Sequence, residues 1–298
     1  MNNLPNDILL EVFKHLPGKS LKNSALVCRN WNEIISSSSS TMNNFKLSIR
    51  KWFDAAADKK ILNSRECAVM EEFEELISTH RKFTCITLNF LKIEQSEKIL
   101  QCRVLNYFGR NIKKLTLVGV ECDFKILLKK LGTLETLEIK NCSMTNPVDD
   151  KIKLSNLKKL YFFESNHEIL EILYCPQLTF VSFFEIDLSL ESCRNFLANV
   201  KSLKTFEFHG KHEMFLQSPF DKFTFKLRKI YLSFFSNQEE INEKNEMNVI
   251  EFVKSQSKFV EDLDLFFACS KEILNSRTKF KILQKLRIDE ENVSLNKR

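Results

Sequence analysis

Two histidines three residues apart, His209 and His212, bracket Gly210 and Lys211 at a spacing from which imidazoles can share a metal ion. No cysteine or aspartate lies close enough in sequence to complete a four-ligand set, so an unliganded pair is the expected state. Cys28 stands beside Arg29, a cation able to lower a thiol pKa and favour the nucleophilic thiolate. Its neighbours Leu26, Val27 and Trp31 are apolar, which makes packing the expected role. The nine cysteines are odd in number and contain no C-x-x-C pair, so they suit neither a disulfide framework nor a zinc site.

The five glycines, Gly18, Gly109, Gly119, Gly132 and Gly210, are scattered. A phosphate cradle needs them clustered, so that backbone N–H groups can approach the anion, and nucleotide-binding readings lose their footing. Neither G-x-S-x-G nor H-E-x-x-H occurs. No catalytic residue, metal ligand or cofactor is therefore expected. The formal net charge of +6 arises in residues 81–298, with 35 basic against 29 acidic residues, and is spread without a tract of like charge. A solvated basic surface explains it better than nucleic-acid binding. The start, MNNLPNDILL, lacks a basic stretch leading into an apolar run, and no stretch approaches the ~18 apolar residues of a membrane span. A soluble intracellular chain, cytoplasmic or nuclear, is expected.

The elements that would position any functional residue begin in the first 45 residues. Ile8, Leu9, Val12, Phe13 and Leu16 recur at helical spacing, with Asn6 or Asp7 available as a cap and Pro17-Gly18 as a stop. Ser20 could cap a second short helix over Leu21 to Ala25. A third would carry Leu26, Val27, Trp31, Ile34 and Ile35 on one stripe. Three short helices cannot hide this much apolar surface among themselves, so something else must cover it.

LPNDILLEVFKHLP followed by SLKNSALVCRNWNEI resembles an F-box, whose pattern is Leu-Pro, an acidic residue, an apolar helix, a second Leu-Pro-like stop and a closing Val-Cys-Arg-x-Trp. The resemblance implies docking on a Skp-type adaptor and, through it, a cullin scaffold of a ubiquitin ligase. The residues expected to meet the adaptor are Leu4, Pro5, Ile8, Leu9, Leu26, Val27, Cys28 and Trp31. Their division between interface and internal core is open at this point.

Residues 46–82 read as a helical connector. From residue 83 a pattern of the form apolar-x-x-apolar-x-apolar returns nine times, with central residues Ile86, Leu115, Leu137, Leu160, Val181, Phe206, Ile230, Leu263 and Leu286. The intervals are 29, 22, 23, 21, 25, 24, 33 and 23 residues, and six of the eight fall in the 21–25 range typical of leucine-rich repeats. The expected fold class is thus α/β, a short three-helix F-box module (1–45) followed by a leucine-rich-repeat solenoid (83–298) with a parallel concave sheet. The Asn/Cys position of the family turn is met by Cys142 but is Val120, Ser165 and Ile186 elsewhere, so irregular curvature is expected. With twelve residues after Leu286 and no polar cap among them, either a fragment or a covering partner is expected at that end.

Side chains alternate across a strand, so residues flanking the inner apolar positions point to the other face. They include Tyr161, Phe163, Phe180, Phe184, Tyr231 and Phe266, beside Lys114, Lys159, Lys229 and Lys285. An exposed aromatic patch of this size reads as a target-binding surface, and the lysines favour an acidic target. The reading that follows is a non-catalytic substrate receptor of a ubiquitin ligase, with neither nucleic acid nor membrane as partner. An adaptor-bound scaffold without degradative role is the alternative, and an enzyme with a cryptic site lacks any supporting constellation.

Overall fold

The computed structural model describes residues 4–42, 45–51, 83–90, 105–145, 150–217, 220, 223–234, 243–266 and 285–288. It divides into two compact units, Met1–Leu134 and Glu135–Arg298.

The first unit opens with helices α1 (Asn6–Lys14), α2 (Gly18–Ala25), α3 (Arg29–Ser37) and the single turn α4 (Ser39–Met42). Prolines, not the expected polar side chains, precede the first two: Pro5 and Pro17 occupy the caps with no side-chain hydrogen bond. Their fixed φ sets the chain for the first turn. The module's core is Leu9, Phe13, Leu21 and Ile35, with Leu16, Ala25, Trp31, Ile34 and Phe45 packed around it. Where α3 ends, its last carbonyls need partners. The buried Thr41 hydroxyl lies 2.7 Å from the Ile35 carbonyl and 2.9 Å from that of Ser38.

The third helix differs from expectation. Leu26 and Val27 belong to the turn that closes α2, with the Leu26 N–H donating to the Asn23 carbonyl and that of Val27 to the Ser24 carbonyl. Cys28 is extended (φ −158°, ψ 164°), and α3 starts only at Arg29. An extended residue breaks the helical rotation, so Leu26 and Val27 leave the stripe that buries Trp31 and Ile35.

A second correction concerns the connector. Its first residues, Lys46–Lys51, form a strand, β1, that pairs in parallel with β2 (Cys85–Phe90), which pairs with β3 (Lys114–Val118). KLSIRK alternates polar and apolar residues, a period of two that suits a strand. The stretch 52–82 lies outside the described residues.

The second unit carries a large parallel sheet of β4 (Thr136–Lys140), β5 (Lys159–Phe163), β6 (Phe180–Phe184), β7 (Thr205–Gly210), β8 (Lys229–Phe234), β9 (Asp262–Phe266) and β10 (Lys285–Ile288), in that spatial order. Leu137, Leu160, Val181, Phe206, Ile230, Leu263 and Leu286 stand side by side in register. They are the central residues picked out by spacing alone. Register is enforced because a slip of one residue would send every apolar side chain to the other face.

Between strands run α5 (Phe124–Leu128) in the first unit and α6 (Glu168–Glu171), α7 (Glu191–Asn199) and α8 (Glu243–Gln256) in the second. The 33-residue interval holds α8, whose Phe252 ring meets Phe206 at 5.5 Å and Phe215 at 5.4 Å. The sheet's inner face is thus aromatic: Phe162, Phe183, Phe206 and Phe208 are all fully buried.

The turns repeat as closely as the strands. Gly119, Asn141, Glu164 and Glu185, each directly after a strand, adopt positive φ of 63°, 51°, 41° and 51°. At successive strand starts in the second unit one carbonyl accepts two N–H groups: Glu135 from Lys158 and Lys159, Lys158 from Thr179 and Phe180, Thr179 from Lys204 and Thr205. Ser165 does the work expected of a turn Asn: its hydroxyl donates to the Phe163 carbonyl at 2.6 Å and accepts the Cys142 N–H at 3.0 Å.

Candidate functional site

The helical module presents five large apolar side chains to solvent, with relative exposures of 55% for Leu4, 47% for Ile8, 50% for Val12, 79% for Leu26 and 63% for Val27. The stripe read from sequence on α1 splits in two, because nine residues of helix carry more apolar side chains than one contact can cover. Leu9 and Phe13 turn inward, while Ile8 and Val12 turn outward.

The expected docking residues therefore separate. Leu4, Pro5, Ile8, Leu26 and Val27 are exposed, and Cys28 and Trp31 are partly covered. Leu9 is a correction: at 6% exposure it belongs to the module's core and offers nothing to a partner. Trp31 leans on that core as well, its ring meeting Phe13 edge to face. Val12 is the exposed residue that sequence reasoning left out. Its signal was its place four residues after Ile8, one helical turn on.

Exposed apolar side chains grouped on a filled core are the kind of surface that partners cover. The family model of the F-box domain matches residues 1–43. Residues 1–43 are an F-box domain. F-box domains typically bind Skp-type adaptors, which ties the chain to a ubiquitin ligase complex. The F-box core described above, with Leu9, Phe13, Leu21 and Ile35 inside, is what holds Leu26 and Val27 out. No curated protein sequence matches the chain.

The second candidate is the outward face of the second unit's sheet, where three rows of side chains cross β4 to β9 in register. The first row runs Thr136, Lys159, Phe180, Thr205, Lys229, Asp262. The middle row runs Glu138, Tyr161, Ser182, Glu207, Tyr231, Asp264, and the third Lys140, Phe163, Phe184, His209, Ser233, Phe266. Tyr161, Phe163, Phe180, Phe184, Tyr231 and Phe266 all lie on this face as expected, each half-buried rather than open. The reason is mutual cover. Tyr161 packs on Phe180 at 4.9 Å and Phe163 on Phe184 at 5.9 Å, and an unbroken run continues from Phe184 through His209 and Tyr231 to Phe266.

His209 is thus a member of this aromatic run, and burial lowers its pKa and favours the neutral ring. Among the described residues no group of three His, Cys, Asp or Glu side chains is placed to hold a metal ion. Nor, among them, is any helix long and apolar enough to cross a membrane.

Two lysines of this face are held by carboxylates of the face itself. Lys229 bonds Asp262 at 2.7 Å, and that carboxylate raises its pKa. Lys140 bonds Glu138 at 2.7 Å and lies 4.5 Å above the Phe163 ring. Sequence reading registered Lys229 but neither Lys140 nor the middle-row acids Glu138, Glu207 and Asp264. Only the register, which places one residue of each repeat beside its counterpart, lines them up.

Burial raises the pKa of Glu207, partly offset by a hydrogen bond from the Ser182 hydroxyl. Burial also raises that of Tyr161, and the charges of Glu207 and Glu138 add to it. Tyr161 therefore sits in a negative field.

Proposed function

We propose that this chain is the substrate-recognition subunit of a Skp-cullin-F-box ubiquitin ligase. The F-box docks the adaptor through Leu4, Pro5, Ile8, Val12, Leu26 and Val27, with Cys28 and Trp31 at the edge of the contact. The repeating strands are read as a leucine-rich-repeat solenoid whose sheet face holds the target. The chain performs no chemistry of its own and works in the cytoplasm or nucleus, joined to the cullin scaffold only through the adaptor.

The observation that carries this reading is the exposure of Leu26 and Val27, at 79% and 63%, beside a filled core. Two apolar side chains held in water by a hydrogen-bonded turn are costly unless a partner buries them, at about 1.5–3 kcal/mol for each. The repeat reading is supported by the regular strand interval and by the shared turn conformation after β3, β4, β5 and β6.

The test is affinity capture from cells with the intact chain, a Leu26→Asp/Val27→Asp variant and a deletion of residues 1–45. Adaptor and cullin are expected to be captured by the intact chain and lost from both altered forms, while a target stays bound and accumulates. Capture of the adaptor by the double variant would sink the docking assignment. Capture of adaptor and cullin without ubiquitin transfer to any bound protein would favour a scaffold instead.

A further inference from the structure

We infer that the target is held by an acidic segment, rich in aspartate or glutamate, laid along the strand-start edge of the second unit's sheet against Lys159, Lys201, Lys204 and Lys258. This rests on the reading of the second unit as the part that holds the target, and it names the chemistry and the edge that select it.

The residues just ahead of β4 to β9 form one line, Glu135, Lys158, Thr179, Lys204, Arg228 and Glu261, in which each backbone N–H donates to the carbonyl of the residue before it. The first row of the sheet runs beside this line and adds Lys159 and Lys229, with Asp262 at its far end. The loops leading into β7, β8 and β9 add Lys201, Lys226 and Lys258. All eight of these cations are exposed, whereas the three carboxylates of the edge, Glu135, Glu261 and Asp262, are half-buried. The register sets Lys285 beside Asp262 as well.

The carboxylates stand at the two ends of the edge and engage their neighbours there. Lys158 bonds Glu135 at 2.9 Å, Lys229 bonds Asp262 at 2.7 Å, and Arg228 approaches Glu261 at 3.6 Å. Lys226 lies 5.2 Å from the Phe259 ring. Among the described residues, Lys159, Lys201, Lys204 and Lys258 make no ion pair. Adjacent strands lie about 4.8 Å apart, so the cations of β5, β7 and β8 crowd one another, and carboxylates from a ligand relieve that repulsion.

The geometry fits a short protein segment better than a nucleic acid. The part of the edge without carboxylates runs from β5 to β8, three strand spacings or about 14 Å, the reach of about four extended residues. A phosphate backbone would continue past it at both ends, onto Glu135 and onto Glu261 and Asp262. Two residues further along the strands, about 6.8 Å inward, the middle row holds Glu138, Glu207 and Asp264, with Arg287 set beside Asp264. Those acids keep an acidic ligand at the edge and off the tyrosines.

Fluorescent decapeptides alternating serine with glutamate, asparagine or lysine, and a decauridylate RNA, are titrated by anisotropy into the full chain at physiological salt. The glutamate peptide is expected to bind about tenfold tighter than the asparagine peptide, because single exposed ion pairs contribute little and several must act together. That margin should vanish in Lys159→Gln/Lys204→Gln, shrink in Lys201→Gln/Lys258→Gln, and persist in Lys153→Gln/Lys211→Gln. The last pair removes the same charge from exposed positions away from this edge, Lys211 lying just past the opposite end of β7. Thermal melts of all three variants should match that of the unaltered chain. Binding of the asparagine or lysine peptide as tight as that of the glutamate peptide overturns the proposal, and so does an equal loss in all three variants, which would make bulk charge the cause. Tighter binding of the RNA, lost in the Lys159/Lys204 variant, would assign the edge to nucleic acid instead. Adaptor capture by the unaltered chain is scored separately: its absence counts against the ligase role, whereas the peptide ranking judges the edge.

Discussion

Trp31 meets Phe13 edge to face, with ring centroids 5.2 Å apart and planes inclined at 67°. The contact ties α3 to α1 across the F-box core, and it separates residues that build the docking surface from residues that form it. Phe13 is 1% exposed, so Phe13→Ala is expected to cost about 3–5 kcal/mol and unfold the module. Trp31→Ala should cost less, because its ring is half-covered. Leu26→Asp should leave the melting temperature within the small range of surface substitutions, about 0.5 kcal/mol, while abolishing adaptor capture. Thermal melts beside pull-downs check both, and a Leu26 variant that unfolds would contradict the exposure found here.

The carboxyl of Glu207 gives a pH-dependent prediction. Burial lifts its pKa above the ordinary 4.5, so the folded chain holds that proton more tightly than the unfolded chain does. The stability this supplies is full below the unfolded value and is lost as pH rises through the folded one. Glu207→Gln should therefore raise the melting temperature at pH 7, with the gain shrinking towards pH 4. An equal gain at both pH values would show that ionisation is not its source.

Gly210 closes β7 against Phe208. A Cβ at this position would lie 2.8 Å from Cζ of the Phe208 ring, which is itself fully buried between Phe215 and Phe234. Gly210→Ala is expected to cost about 1–3 kcal/mol in denaturant melts, as overpacking does. At Gly119 the cause differs: φ of 63° disfavours any side chain, and Gly119→Ala should cost about 1–2 kcal/mol. Glu164 already bears that strain at φ 41°, so Glu164→Gly should move stability by less than about 1 kcal/mol.

Thiol reactivity should follow burial. Burial pushes the thiols of Cys175 and Cys193 up to about 12. At pH 8 they should resist iodoacetamide until the chain unfolds, whereas the partly exposed Cys28 should be alkylated before either. Peptide mass mapping over a time course reads this directly, and early labelling of Cys193 would contradict its burial.

What the sequence determined by itself is what periodicity determines. The F-box pattern was legible because Ile8, Leu9, Val12, Phe13 and Leu16 recur at helical spacing and a Val-Cys-Arg-x-Trp run follows them. The nine central strand residues were legible because each strand repeats the same apolar spacing, at intervals that mostly fall between 21 and 25 residues. The alternation of strand side chains likewise placed Tyr161, Phe163, Phe180, Phe184, Tyr231 and Phe266 on one face. Tertiary structure decided the rest. Leu9 and Ile8 are adjacent and equally apolar, and only packing against α3 settles which is core. Leu26 and Val27 left the helical stripe because Cys28 is extended, a backbone state that its residue type does not dictate. Lys46–Lys51 became a strand because β2 offered it a partner from residues 85–90, a pairing no local window contains. The charge of the sheet face emerged in the same way. Glu138, Glu207 and Asp264 are distant in sequence and form one row only when the register brings six strands together.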